Sequence, residues 1–124
     1  MVIFGGEEEY KTKDQKRCCR NDTWYFDTVK MEWMDKTCGY RPSQRRNHSA
    51  VCIDKQMIVF GGISTYGVYL KDMWSFNILT LKWQPILMPK NTKKTKIKNM
   101  GLAFYSMCKI PKGVIAMSQA DQWK

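Results

Sequence analysis

The chain writes nearly the same hexamer twice: MVIFGG at residues 1–6 and MIVFGG at residues 57–62. Internal repetition constrains a fold more than any composition does, because each copy must build the same supersecondary unit and bury it against its neighbour. The likeness continues downstream. NDTWYFDTVKMEW at 21–33 answers KDMWSFNILTLKW at 71–83, so that Asp22, Trp24, Phe26 and Trp33 match Asp72, Trp74, Phe76 and Trp83 at a spacing of 50 residues. The glycine pairs, Gly5-Gly6 and Gly61-Gly62, stand 56 apart. The first copy therefore carries six extra residues after its glycines, and the expected place for them is a loop, where added length costs little.

The local patterns are those of strands. Ser49–Ile53 and Met57–Phe60 are short and β-branched, with Asp54, Lys55 and Gln56 as a hairpin turn between them. Trp74-Ser-Phe-Asn alternates large and small side chains as a half-buried strand does. No segment sustains a 3.6-residue apolar period, so the fold class is all-β. One unit reads as four strands, 49–53, 57–60, 73–77 and 81–84, with Pro85 expected to close the last. Residues 1–33 hold the second, third and fourth strands of another unit. Gly101–Met107 and Val114–Met117, with a turn around Pro111, read as the first two strands of a third.

A four-stranded unit of about 50 residues is the blade of a β-propeller. Here it resembles the kelch repeat, most closely over residues 41–84: Pro42, Arg45 and His48 ahead of the first strand, Gly61 and Gly62 after the second, Asp72 and Trp74 in the third, Trp83 in the fourth. The first copy repeats this with Gly5, Gly6, Trp24 and Trp33. The third departs from it, with Lys98 and Gly101 at the Arg45 and His48 positions and Ser118-Gln119 in place of the glycines. The resemblance implies a kelch-type propeller fragment of four-stranded antiparallel blades: a partial blade over 1–40, a complete one over 41–88 and a degenerate partial one over 89–124. It also implies that His48 packs between blades and that these motif residues are structural. A little over two blades do not close a ring, so the expectation is completion by further repeats or by another chain.

Physical chemistry narrows the function. The single histidine cannot supply a catalytic triad beyond its motif role or a multi-histidine copper site, and the double glycines lead into no phosphate-binding helix; no enzyme activity, cofactor or metal is expected. Five cysteines without a C-x-x-C pair read as free thiols, and no apolar run is long enough for a membrane span, so the expected location is intracellular, in the cytoplasm. The net charge of +10 is lopsided: residues 1–40 hold seven Lys/Arg against eight Asp/Glu, and residues 41–124 fourteen against three. That asymmetry suits an acidic partner, although a lysine-rich surface also serves plain solubility.

Strand alternation sends the second-to-third loops and the blade-to-blade connections to one face. That face takes Glu7–Asn21, Lys36–Arg46, Ile63–Lys71 and Pro85–Lys98. Loops on a rigid scaffold carry binding, and tyrosine and arginine favour protein interfaces. The expected function is a protein–protein interaction module, an adaptor or scaffold. Its partner contacts would lie at Tyr40, Arg41, Tyr66 and Tyr69, with Lys93, Lys94 and Lys96 steering an acidic partner. The alternative is a basic surface for nucleic acid or anionic lipid, weakened by the lack of aromatics among those lysines.

Overall fold

The computed structural model describes residues 1–9, 17–87, 105–111 and 113–118; the lysines at 93, 94 and 96 lie outside them. Among the described residues there are nine strands and no helix. Strands β1 (Val2–Glu9), β2 (Arg17–Asp27) and β3 (Glu32–Asp35) form an antiparallel sheet in that order. A four-stranded antiparallel sheet follows, with β4 (Ser49–Ile53), β5 (Gln56–Phe60), β6 (Met73–Asn77) and β7 (Lys82–Ile86). The backbone of β8 (Tyr105–Ile110) and β9 (Gly113–Ser118) makes a hairpin, and β8 lies beside β4. The all-β meander expected from the repeat is what the chain adopts.

Several boundaries differ from expectation: Gln56, expected in the turn, opens β5 opposite Ile53, and β8 runs on to Ile110. Pro85 lies inside β7, opposite Trp74, instead of ending it. β7 is the outermost strand of its sheet, so a residue without an N–H is tolerated there. The six extra residues of the first copy do not make a longer loop on Glu7–Asn21. They lengthen the strands: β1 and β2 run on past the glycines, with a register shift between Phe4 and Gly6, and Glu7, Glu8 and Glu9 pair with Cys19, Cys18 and Arg17. Glycine conformation explains the shift, since Gly5 and Gly6 have φ of 61° and 110° and form a bulge that re-aims the hairpin. Tyr10 lies outside the described residues.

The turns after β2 and β6 repeat in detail. Asp27 Oδ1 accepts from the N–H groups of Val29 and Lys30, and Asn77 Oδ1 from those of Leu79 and Thr80. Each turn closes through a non-glycine residue in the left-handed region, Met31 and Leu81. An Asx side chain that caps the turn from within is what lets both copies reverse direction without glycine.

The core sits between the first and second sheets. Phe4, Met57, Val59, Phe76 and Trp83 are buried together, and Trp83 packs its ring on Phe4 and Phe76 at centroid distances of 4.7 and 5.1 Å. Its indole N–H donates to the buried Thr23 hydroxyl at 3.1 Å, so a polar atom enters the core already satisfied. Not every tryptophan is core. Trp24 and Trp74 are half-buried, each donating its N–H to the aspartate two residues earlier, and Trp33 is exposed.

Candidate interaction face

Arg45 organises the end of the second sheet. Its side chain is fully buried, and its two terminal nitrogens bind Asp72 in bidentate fashion at 2.8 Å each. The remaining donors go to the Gly61 and Ser43 carbonyls and the Ser43 hydroxyl. A guanidinium can enter a dry site only when its fork is matched in this way. Asp72 in turn accepts from the Trp74 indole at 2.7 Å. Burial opposes ionisation of its carboxyl, but Arg45 and Trp74 outweigh that and hold it below the usual carboxylate range. Trp74 then carries Tyr40, edge-on with ring centroids 5.5 Å apart. The exposed Tyr40 is thus seated, through Trp74 and Asp72, on a buried arginine. Beside it Arg41 is tied to the Cys38 carbonyl, and this connection is stitched to β2 by the bond from Asn21 to the Pro42 carbonyl at 3.1 Å.

The second-to-third loop of this sheet, residues 61–72, is closed by its own backbone hydrogen bonds. Ile63 is buried and exchanges both backbone hydrogen bonds with Arg46. Ser64 caps the turn, accepting from Gly67 on its carbonyl and from Val68 on its hydroxyl. The tip is left bare: Tyr66 is 91% exposed, and Val68 and Tyr69 are also exposed. No hydrogen bond or ring contact joins Tyr40 to Tyr66 or Tyr69. Strand alternation puts them on one side, and the structure brings Tyr66 and Tyr69 onto one loop.

The extended hairpin of the first copy braces that loop. The Cys19 N–H donates to the Thr65 hydroxyl at 3.2 Å, its thiol reaches the Ile63 carbonyl, and Arg46 bridges to Glu7 at 3.5 Å. Arg20 pairs with Glu8 at 3.0 Å. Of the acidic side chains assigned to a loop, Glu7 therefore ties the hairpin to the connection before β4, while Glu8 braces the hairpin itself. The glycines permit the close approach: a Cβ on Gly62 would lie 2.7 Å from the Arg46 carbonyl, and one on Gly5 3.0 Å from that of Arg45.

His48 lies between the two glycine turns, edge-on to Phe4 at 5.5 Å. Burial, then the Arg45 charge, push its pKa down to about 4, against the opposing pull of the Phe4 carbonyl. The imidazole is therefore neutral at pH 7 and packed against Phe4. The opposite end of the second sheet, where tight turns promise little, holds an open polar cleft of about 230 Å³ lined by Gln56, Ser75, Asn77, Thr80, Lys82 and Gln84. Among the described residues no cluster of His, Cys, Asp and Glu could hold a metal ion, and no helix is long and apolar enough to cross a membrane.

Sequence reasoning missed Asp72 as the counter-ion of Arg45, Thr23 as the partner of Trp83 and Cys19 as a joint. Only Asp72 left a signal, the recurrence of Asp-x-Trp at 22–24 and 72–74.

Comparison with known proteins agrees with this architecture. Residues 1–110 match the KLHDC2/KLHL20/DRC7 Kelch-repeats domain. The dynein alpha chain of the flagellar outer arm of Chlamydomonas reinhardtii is 33% identical over 87 residues, which cover 67% of this chain and 2% of that protein. Human Kelch domain-containing protein 3 is 28% identical over 92 residues, 69% of this chain and 24% of the relative. The F-box/kelch-repeat protein At1g51550 of Arabidopsis thaliana is 35% identical over 82 residues, 60% and 16% respectively. The chain thus spans a quarter or less of the length of these relatives. With the double glycines, the Arg45–Asp72–Trp74 relay and the family match all over the same strands, the chain belongs to the kelch-repeat family.

Proposed function

We propose that this chain is a non-catalytic recruiting module whose partner protein docks on the face bearing Tyr40, Arg41, Tyr66 and Tyr69. Kelch repeats serve generally as protein–protein interaction modules, which supports the class of function. The observation that carries the face is a contrast on one loop: Tyr66 is 91% exposed, while Ile63 is buried and the Ser64–Val68 turn is closed by its own hydrogen bonds. A large amphipathic ring on a rigid support offers contact area with little entropy left to lose. Lys93, Lys94 and Lys96 would steer an acidic partner toward that face and act mainly on its capture rate.

The test is quantitative affinity capture with the full chain, followed by binding kinetics on the partner it retains. Tyr66→Ala with Tyr69→Ala should speed dissociation at least tenfold. Lys93→Glu with Lys94→Glu should slow association and flatten its salt dependence while leaving dissociation unchanged. A partner whose kinetics ignore all four changes puts the binding site elsewhere. One whose affinity collapses steeply with salt and ignores the tyrosines points to a phosphate-bearing ligand instead.

A further inference from the structure

The extra length of the first copy carries its hairpin past the glycines, and what that length touches belongs to the second copy. Cys19 is 1% exposed, and its contacts converge on the loop after β5 and the arginine beside it. Its N–H donates to the Thr65 hydroxyl, its thiol donates to the Ile63 carbonyl at 3.7 Å, and its sulfur accepts from the Arg46 guanidinium at 3.5 Å. Arg46 exchanges backbone bonds with Ile63 at 2.8 and 2.9 Å and pairs with Glu7 on the other strand of the hairpin. Ile63 is bridged in turn to Tyr69, and the Leu70 N–H donates to the Gly62 carbonyl. The hairpin thus reaches the exposed tyrosines through the loop's own backbone. Cys19 and Ile63 are both buried, so neither can touch a partner.

We infer that the hairpin past the first glycine pair is the positioning element of the Tyr66–Tyr69 loop, with Cys19 as its positioning residue. This rests on the reading that a partner docks on those tyrosines, and it adds what keeps them ready for it. A loop that samples several conformations binds more weakly by the fraction of time it spends in the competent one. The joint removes that loss by fixing the base of the loop at Ile63 and its rising limb at Thr65. Breaking the joint is costly, because a buried N–H without an acceptor draws the structure open until water reaches it. Two kinds of residue then leave different kinetic marks. Cys19 sets how often the loop is ready, and so the rate of capture. Tyr66 and Tyr69 set how long the complex lasts, and so the rate of release.

Hydrogen exchange on the 124-residue chain tests the joint without any partner. In Cys19→Ala and in Thr65→Val, the amides of Gly67, Val68 and Leu70, which close the loop, should exchange at least threefold faster while those of β5 and β6 stay unchanged. Cys19→Ser and Thr65→Ser keep the hydrogen-bonding groups and should exchange at the wild-type rate. Loop amides that ignore both changes overturn the proposal. So does an equal acceleration of the sheet amides, which would make Cys19 ordinary core. With the partner retained by affinity capture, Cys19→Ala should slow association at least threefold, leave dissociation unchanged and be rescued by Cys19→Ser. An association rate that does not move overturns the positioning role. By reciprocity the bound partner should slow exchange of the Cys19 amide, which it cannot touch. The docking face is judged separately: if Tyr66→Ala with Tyr69→Ala leaves binding unchanged, that reading fails, and exchange in the free chain still decides whether the hairpin holds the loop.

Discussion

His48 is where one side chain reports on the whole interface between the copies. Its neutral form is favoured in the fold because burial and the neighbouring Arg45 charge both disfavour a proton, and its pKa falls to about 4 from an ordinary 6.5. The unfolded chain therefore binds a proton that the folded chain refuses. Stability from this residue is fully present above pH 6.5, declines as pH falls through that value, and reaches its limit near pH 4. The span corresponds to about 3 kcal/mol. Asp72 acts lower, since a carboxyl held below its usual range loses its contribution only as pH drops through the folded value. Urea midpoints of the wild-type chain should thus fall between pH 7 and pH 4.5, and the slope should largely vanish in His48→Gln. A slope unchanged by the substitution would assign the titration to another group. That His48 packs between the copies was expected from the resemblance alone. That it is depressed was not, because the burying groups, Phe4 and the glycine turns, come from both copies.

At the scale of the element, the tryptophans divide by which side of their strand has a neighbour. Trp83 is enclosed by Phe4, Phe76 and Thr23, Trp74 is half-covered by Tyr40, and Trp33 packs on Phe26 with nearly half its surface exposed. Replacement by alanine should cost about 3–5 kcal/mol at Trp83, where a filled core is emptied. Trp74 should cost about 2–3 kcal/mol and Trp33 about 2 kcal/mol, in proportion to the apolar area each has buried. Chemical denaturation of the three single variants checks the order, and any inversion of Trp83 and Trp33 removes the packing scheme. Strand order and the positions of these rings were legible in the repeat, since spacing alone sets which residues share a face. The fate of the six extra residues was not. Glu7–Glu9 and Arg17–Arg20 show no apolar–polar alternation, and the hairpin is held by the brace from Cys19 and Arg46 to the neighbouring loop.

For the whole molecule the consequence is an imbalance of surface. One side of the first sheet presents Met1, Ile3 and Trp33 as an apolar face beside a strand edge that no other described strand pairs, while the loop face presents tyrosines over a hydrogen-bonded turn. Contiguous apolar faces and free edges in water promote association, whereas isolated exposed tyrosines seldom do. The 124-residue chain in dilute buffer should therefore self-associate loosely, without fixed stoichiometry, and bind a hydrophobic dye. The double variant Ile3→Asp, Trp33→Glu should suppress both, because it charges the face while removing only the packing that Trp33 has buried. The melting temperature should fall by about 10 degrees, since each degree reflects only tenths of a kcal/mol in a domain of this size. Tyr66→Ala with Tyr69→Ala should leave sedimentation unchanged. If the tyrosine variant disperses the protein and the face variant does not, the roles of the two surfaces are exchanged. A wild-type chain that sediments as a monomer up to high concentration would mean that the exposed apolar face is too small, or too well flanked by charge, to drive association.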